Sequence, residues 1–161
     1  MGIQAIKDNI VAQLKTVVGI GKVQDFDRST NEWETYLKEF FVTLETTAAP
    51  FAPGINGWVV VWSSATPEQR EDHDARFRVV NTFTIKGYLS LKDIRKTGKN
   101  FEILVERVRD KLRNNSAIFT VCPTLSEPTT QLLEIGHIPF GQVLCHFCTL
   151  TLPVEEEITL P

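Results

Sequence analysis

The stretch VLCHFC, Val143 to Cys148, is the most reactive run in the sequence. Cys145 and Cys148 have the C-x-x-C spacing that can hold zinc or run thiol–disulfide exchange, and His146 between them is a further candidate ligand or base. Both chemistries at this spacing need a turn or a helix start, and no Gly or Pro lies within the run to supply one. If Val143 to Leu152 is a strand, its side chains alternate. Leu144, His146, Cys148, Leu150 and Leu152 then share one face, while Val143, Cys145, Phe147, Thr149 and Thr151 share the other. The two sulfurs leave the sheet on opposite sides and cannot grip one ion. Cys122 and His137 are single residues elsewhere, so no second ligand pair completes a zinc site. The expectation is small apolar thiols in a sheet, with His146 a core or subunit-interface histidine. A small metal- or thiol-dependent enzyme built on Cys145, His146 and Cys148 is the competing reading.

Other clusters offer less. His73 between Asp72 and Asp74 lies in a polar run that reads as solvated surface. Lys92, Arg95, Lys96 and Lys99 form the densest basic cluster, without the aromatic residues of a single-strand stacking platform. KTGK (96–99) lacks the Gly-rich lead-in and the following Ser or Thr of a phosphate-binding loop. No G-x-S-x-G, H-E-x-x-H or G-x-G-x-x-G pattern occurs, so the expectation is a non-enzyme with no catalytic residue, cofactor or metal assigned.

The elements that must position these residues follow from periodicity. Ile3, Ile6, Ile10, Leu14 and Val17 recur at helical spacing, and Gly19 and Gly21 stop that helix. KVQDF (22–26) reads as a short strand. Trp33, Tyr36, Leu37, Phe40, Phe41 and Leu44 form the apolar stripe of a second helix, entered through a Ser29/Glu32 capping box. WVVVW (58–62) is a buried strand. Arg76 to Leu91 is a long strand with Phe77, Val79, Phe83, Ile85 and Leu89 on one side and Asn81 as the polar exception, while Gly87 marks a bulge or a close backbone approach. A third helix runs from about Asn100 to Asn114, buried through Phe101, Leu104, Val105, Val108 and Leu112. Two strands, TTQLLEIGHIPFG and QVLCHFCTLTLPVEEEI, joined near Pro139 to Gly141, close the chain, and the second takes in an acidic end at Glu155, Glu156 and Glu157. The order is helix, strand, helix, strand, strand, helix, strand, strand. It predicts an α+β fold, a mainly antiparallel β-sheet with about three α-helices packed against it.

The totals set the outer limits. The 161 residues suit a single α+β domain over 1–161, with exposed loops expected near 46–57, 63–75, 92–99 and 115–128. Charged residues are 23% and the formal net charge is -3, which gives no strong global pull toward nucleic acid. No apolar run approaches the roughly 18–20 residues of a membrane span. The start lacks the pattern of a secretory signal, and Ile6 stands where a myristoylation motif wants Ser or Thr. Reduced thiols in a cytoplasm are therefore the expectation for the three cysteines.

Five segments carry a resemblance when taken in order: IVAQLKTVVGIGKVQDFDR, WETYLKEF, FTIKGYLSLKD, FEILVERVRDKLRNN and GQVLCHFCTLTLPVEE. Together, over roughly Ile3 to Glu157, they resemble the tail-terminator or tail-completion proteins of tailed bacteriophages, which belong to the neck of the particle. The resemblance implies a structural, ring-forming α+β subunit of the virion, assembled in the host cytoplasm and placed at the tail–neck junction. It implies a homo-oligomer, a hexamer, that caps the tail tube, ends its polymerisation and joins the tail to the head. The implied partners are the tail tube protein, the neck or connector protein and, in a contractile tail, the sheath protein. Genomic DNA would pass through the lumen without sequence-specific binding, and no membrane is involved. No site residue is carried over. On this reading Lys92, Arg95, Lys96 and Lys99 could pair with Glu155, Glu156 and Glu157 between neighbouring subunits, or the basic loop could face DNA. A head–tail adaptor or stopper is the close alternative, and a host-encoded ligand-binding α+β domain a more distant one.

Overall fold

The computed structural model describes residues 2–26, 33–42, 54–68, 76–91, 96–113, 130–140 and 142–159. The elements in chain order are α1 (Ile3–Leu14), β1 (Lys22–Gln24), α2 (Trp33–Phe40), β2 (Phe41–Val42), β3 (Gly54–Glu68), β4 (Arg76–Ser90), α3 (Thr97–Arg113), β5 (Gln131–Phe140) and β6 (Val143–Thr159). The expected order holds, with the two-residue β2 added. The fold is α+β: three helices and one six-stranded sheet.

The sheet order is β1-β3-β4-β6-β5, with β2 paired to β3 off this path. All pairings are antiparallel except β1 on β3. The long strands β3, β4 and β6 form its centre, and β5 is a margin. Alternation along β4 sends Asn81, Phe83, Ile85 and Leu89 into one cluster side or its polar edge, as the sequence pattern requires.

Helices α1 and α3 cover one face. Ile6, Ile10, Leu14, Phe101, Leu104, Val108 and Leu112 pack there on Trp58, Val60, Phe83, Ile85, Leu89, Cys148 and Leu150. Each fully buried large apolar side chain stabilises the fold by about 1.5–3 kcal/mol relative to exposure. A smaller cluster on the opposite face gathers Phe40 from the end of α2 with Ile55, Val59, Phe140 and Cys145. Gly87 is a site of close approach and not a bulge, because pairing with both neighbouring strands runs through it unbroken. A Cβ there would lie 2.7 Å from the Trp58 ring, so a side chain would displace the largest residue of the core.

Four boundaries differ from the sequence reading. Gly54 to Gly57, expected in the 46–57 loop, begin β3, where Gly57 gives the Phe40 ring room to lie against the backbone. Ser63 to Glu68, expected in the 63–75 excursion, continue β3 through pairing of Ser64 to Glu68 with Thr82 to Arg78. Polar side chains masked this stretch, but the ladder is made by the backbone, and Pro67 is tolerated on a strand whose outer side has no partner here among the described residues. Thr97 to Lys99, expected in the 92–99 loop, form the first turn of α3. Phe41, assigned to the α2 stripe, belongs to β2 and is 43% exposed. The expected loop at 115–128, Leu44, His73, Cys122 and the Ser29/Glu32 box lie outside the described residues.

Candidate functional site

Strand β6 carries VLCHFC as a regular strand. Cys148 packs in the helix-covered cluster and Cys145 in the opposite one, so the two thiols stand on opposite faces. Both are free and fully buried. Burial pushes each thiol up from 9.0 to about 12, against which a backbone hydrogen bond from Gly87 lowers Cys148 slightly. A redox or nucleophilic thiol needs the reverse shift, toward thiolate. Among the described residues no group of three or more His, Cys, Asp or Glu side chains is placed to hold a metal ion.

His146 lies on the helix-covered face, 8% exposed. Its Nε2 is 3.0 Å from the Thr97 hydroxyl at the start of α3, and its ring stacks on Phe101 at 5.7 Å and 22°. It is a satisfied core histidine on these contacts. The sequence reading missed its neighbour. His137, treated as isolated, lies directly opposite on β5, with ring centroids 4.9 Å apart. The signal was present: with the two strands joined near Gly141, pairing Phe140 with Val143 sets, three steps on, His137 against His146.

Beside this pair an open groove of about 250 Å³ separates the start of α3 from β5, lined by Gly98, Phe101, Glu102, Ile135, His137 and His146. The Gly98 backbone sits close to His146, where an added Cβ would be 3.4 Å from Cε1. Strand β5 forms the outer wall. Nine of its ten residues are exposed or half-buried, on both faces. Leu133 is 61% exposed and Ile135 47%, with Leu132, Ile138 and, on β6, Leu144 also open. A register shift between Leu132 and Glu134 leaves Leu133 bulged out of the ladder. Apolar residues of QLLEIGHIPF fall on both faces of the strand, and the described residues leave nearly all of them open.

The charged residues singled out in the sequence separate. Lys92 and Arg95 lie outside the described residues. Lys96 is exposed in a left-handed backbone conformation (φ 51°) just before α3, where its carbonyl accepts the Asn100 N–H at 3.3 Å. Lys99 is exposed in the first turn of α3. Glu155, Glu156 and Glu157 lie within β6, as the strand reading of QVLCHFCTLTLPVEEEI expects, paired with Val80, Val79 and Arg78 of β4. Glu155 forms a part-buried ion pair with Arg78. Glu156 is buried and accepts a hydrogen bond from Asn81 Nδ2 at 3.1 Å. Both acids are thus engaged within the chain. Searched against family models and against curated proteins, the sequence matches none.

Proposed function

We propose that this chain is a tail terminator of a tailed bacteriophage, a structural subunit that forms a hexameric ring on the head-proximal end of the tail tube. The observation that carries the reading is the open apolar margin at β5, where Leu132, Leu133, Ile135 and Ile138 are exposed on a strand with no outer partner among the described residues. Contiguous apolar surface of this kind marks protein–protein contact, and a subunit that works only when assembled has reason to keep it. The ordered segments that resemble tail terminators point the same way. The buried, proton-holding thiols favour this structural role over the thiol-enzyme reading.

In this role the ring ends tube growth, meets the neck or connector protein on its other side, and lets DNA pass through the hole. The exposed Lys96 and Lys99 are available for loose phosphate contact, and a net charge of -3 keeps such contact weak. The test is deletion of the gene followed by electron microscopy of the particles. Overlong tails without heads are the expected result. Tails of normal length beside heads that cannot join them would instead assign the chain to the head side of the neck, as an adaptor or stopper. Intact infectious particles would overturn both.

A further inference from the structure

We infer that the two margins of the sheet are the two halves of one joint, so that β5 of one copy pairs with the free stretch of β3, Val60 to Glu68, of the next. The inference rests on the ring reading for its number of copies, but the joint itself follows from the sheet. Strand β3 has β1 on its outer side only at Gly57 to Val59, and β2 pairs it only at Gly54 and Ile55. From Val60 onward its outer side has no strand partner among the described residues. Trp62 stands on that stretch, 42% exposed.

Three features fit a second copy as the occupant. The first is polarity. Three successive antiparallel pairings, β3 with β4, β4 with β6 and β6 with β5, leave β5 running opposite to β3. When one copy is placed beside the next in the same orientation, the new pair is therefore antiparallel, the more stable ladder.

The second feature is facing. Trp62 pairs with Phe83 and continues the alternation of Trp58 and Val60, so it belongs to the helix-covered face. Leu132 and Ile135 pair with Leu150 and Cys148 and lie on that same face of β5. An incoming Trp62 thus meets Leu132, Ile135 and the mouth of the 250 Å³ groove beside His137.

The third is extent. The bulge at Leu133 and Pro139, which has no N–H, bracket the part of β5 free to ladder, Glu134 to Ile138. That five-residue stretch is about 17 Å long and a sheet about 10 Å thick, roughly 170 Å² of edge per partner. A stable interface buries about 800 Å² per partner. One edge joint is therefore marginal alone. A head-to-tail chain that closes on itself gives every copy two such joints, which a β5-to-β5 dimer does not, and such a dimer would leave Trp62 uncovered.

The test uses the full chain and two variants blocked at opposite margins, Leu133→Lys with Ile135→Lys, and Trp62→Lys. Sedimentation velocity over rising concentration should show wild type associating beyond a dimer, and each variant alone as a monomer with wild-type circular dichroism. Mixed at concentrations well above those at which wild type associates, the two variants should reach a heterodimer and nothing larger, since one intact joint remains. Ile135→Ser, a milder change on the same edge, should weaken association partway and keeps the test open if the lysine pair fails to fold. Variants that associate like wild type, a mixture that grows beyond a dimer, or a wild type monomeric at every concentration would each overturn the joint. Closed rings through this joint in a protein whose deletion leaves tail length unchanged would keep the joint and overturn the terminator reading. Rings that survive both blocks, with overlong tails on deletion, would do the reverse.

Discussion

The cysteines of β6 permit a direct check on the face assignment. Cys145 and Cys148 each hold their proton up to about 12 instead of 9.0, because burial disfavours the thiolate. At pH 8 a thiol at 9.0 is about one part in ten thiolate, and one at about 12 is about one part in ten thousand. The ionisation effect alone slows alkylation by about a thousandfold, before the lack of access to a fully buried sulfur is counted. Timed iodoacetamide labelling at pH 8, read by peptide mass spectrometry, should find both residues unmodified in the native protein and fully modified in guanidinium. The same shift has a stability consequence whose sign is fixed. Between pH 9 and 12 the unfolded chain loses these protons and the folded chain keeps them, so stability falls as pH rises. At pH 10 the effect for Cys148 is about 1.4 kcal/mol. Denaturant unfolding of wild type and Cys148→Ala at pH 7 and pH 10 isolates it, since the cavity cost of the substitution cancels between the two pH values. Native labelling at the denatured rate, or an identical alkaline loss in Cys148→Ala, would refute the assignment of these thiols to two closed faces.

Other consequences follow from single contacts. Gly87→Ala places a methyl 2.7 Å from Trp58 and 3.0 Å from the Cys148 sulfur, and the overpacking should cost about 1–3 kcal/mol in chemical denaturation. Asn56→Ala removes a buried hydrogen bond from Nδ2 to the Gly19 carbonyl (2.9 Å) and strands that carbonyl, a loss of about 1–3 kcal/mol by the same assay. Lys96→Gly should leave the melting temperature unchanged or raise it, because the left-handed conformation at φ 51° costs a side-chain-bearing residue about 1–2 kcal/mol and glycine little. A double-mutant cycle on Arg78 and Glu155 should give a coupling near 1 kcal/mol, as befits a part-buried pair, that weakens with salt.

The parts of the fold legible in the sequence were those set by one local period. Ile6, Ile10 and Leu14 on α1, and Phe101, Leu104, Val108 and Leu112 on α3, each repeat every three or four residues and are all buried. The alternation that parts Cys145 from Cys148 is likewise local. What stayed hidden depends on partners remote in sequence. Ser63 to Glu68 look like a loop because their side chains are polar, yet they are held by backbone bonds to a strand that begins only at Arg76. Glu155 to Glu157 are legible as the acidic end of a strand, but their pairing with β4, more than 70 residues earlier, turns two of them to Arg78 and Asn81, which no local pattern shows. Phe41 shares the helical spacing of Phe40, but the chain leaves the helix between them, and only Phe40 reaches the core.

The β5 strand reverses the usual inference from apolarity to burial. Its sequence, QLLEIGHIPF, reads as a strand wanting cover on both sides, and the monomer leaves nearly all of it open. The strand itself is legible in the sequence, but nothing in its local pattern says what lies beyond its edge. The hairpin makes this more than a surface blemish. The same register that sets His137 against His146 also fixes β5 on β6, from Phe140 with Val143 to Gln131 with Thr151, broken only by the bulge at Leu133. On its inner side β5 is bonded to a rigid strand, and on its outer side it offers backbone and apolar side chains in a defined register. A floppy apolar loop would have to pay the entropy of ordering on contact, whereas this edge is already ordered before any neighbour arrives. That preorganisation is what the proposed joint of roughly 170 Å² would draw on, and it makes the outward-facing side of β5 the place to test the proposal.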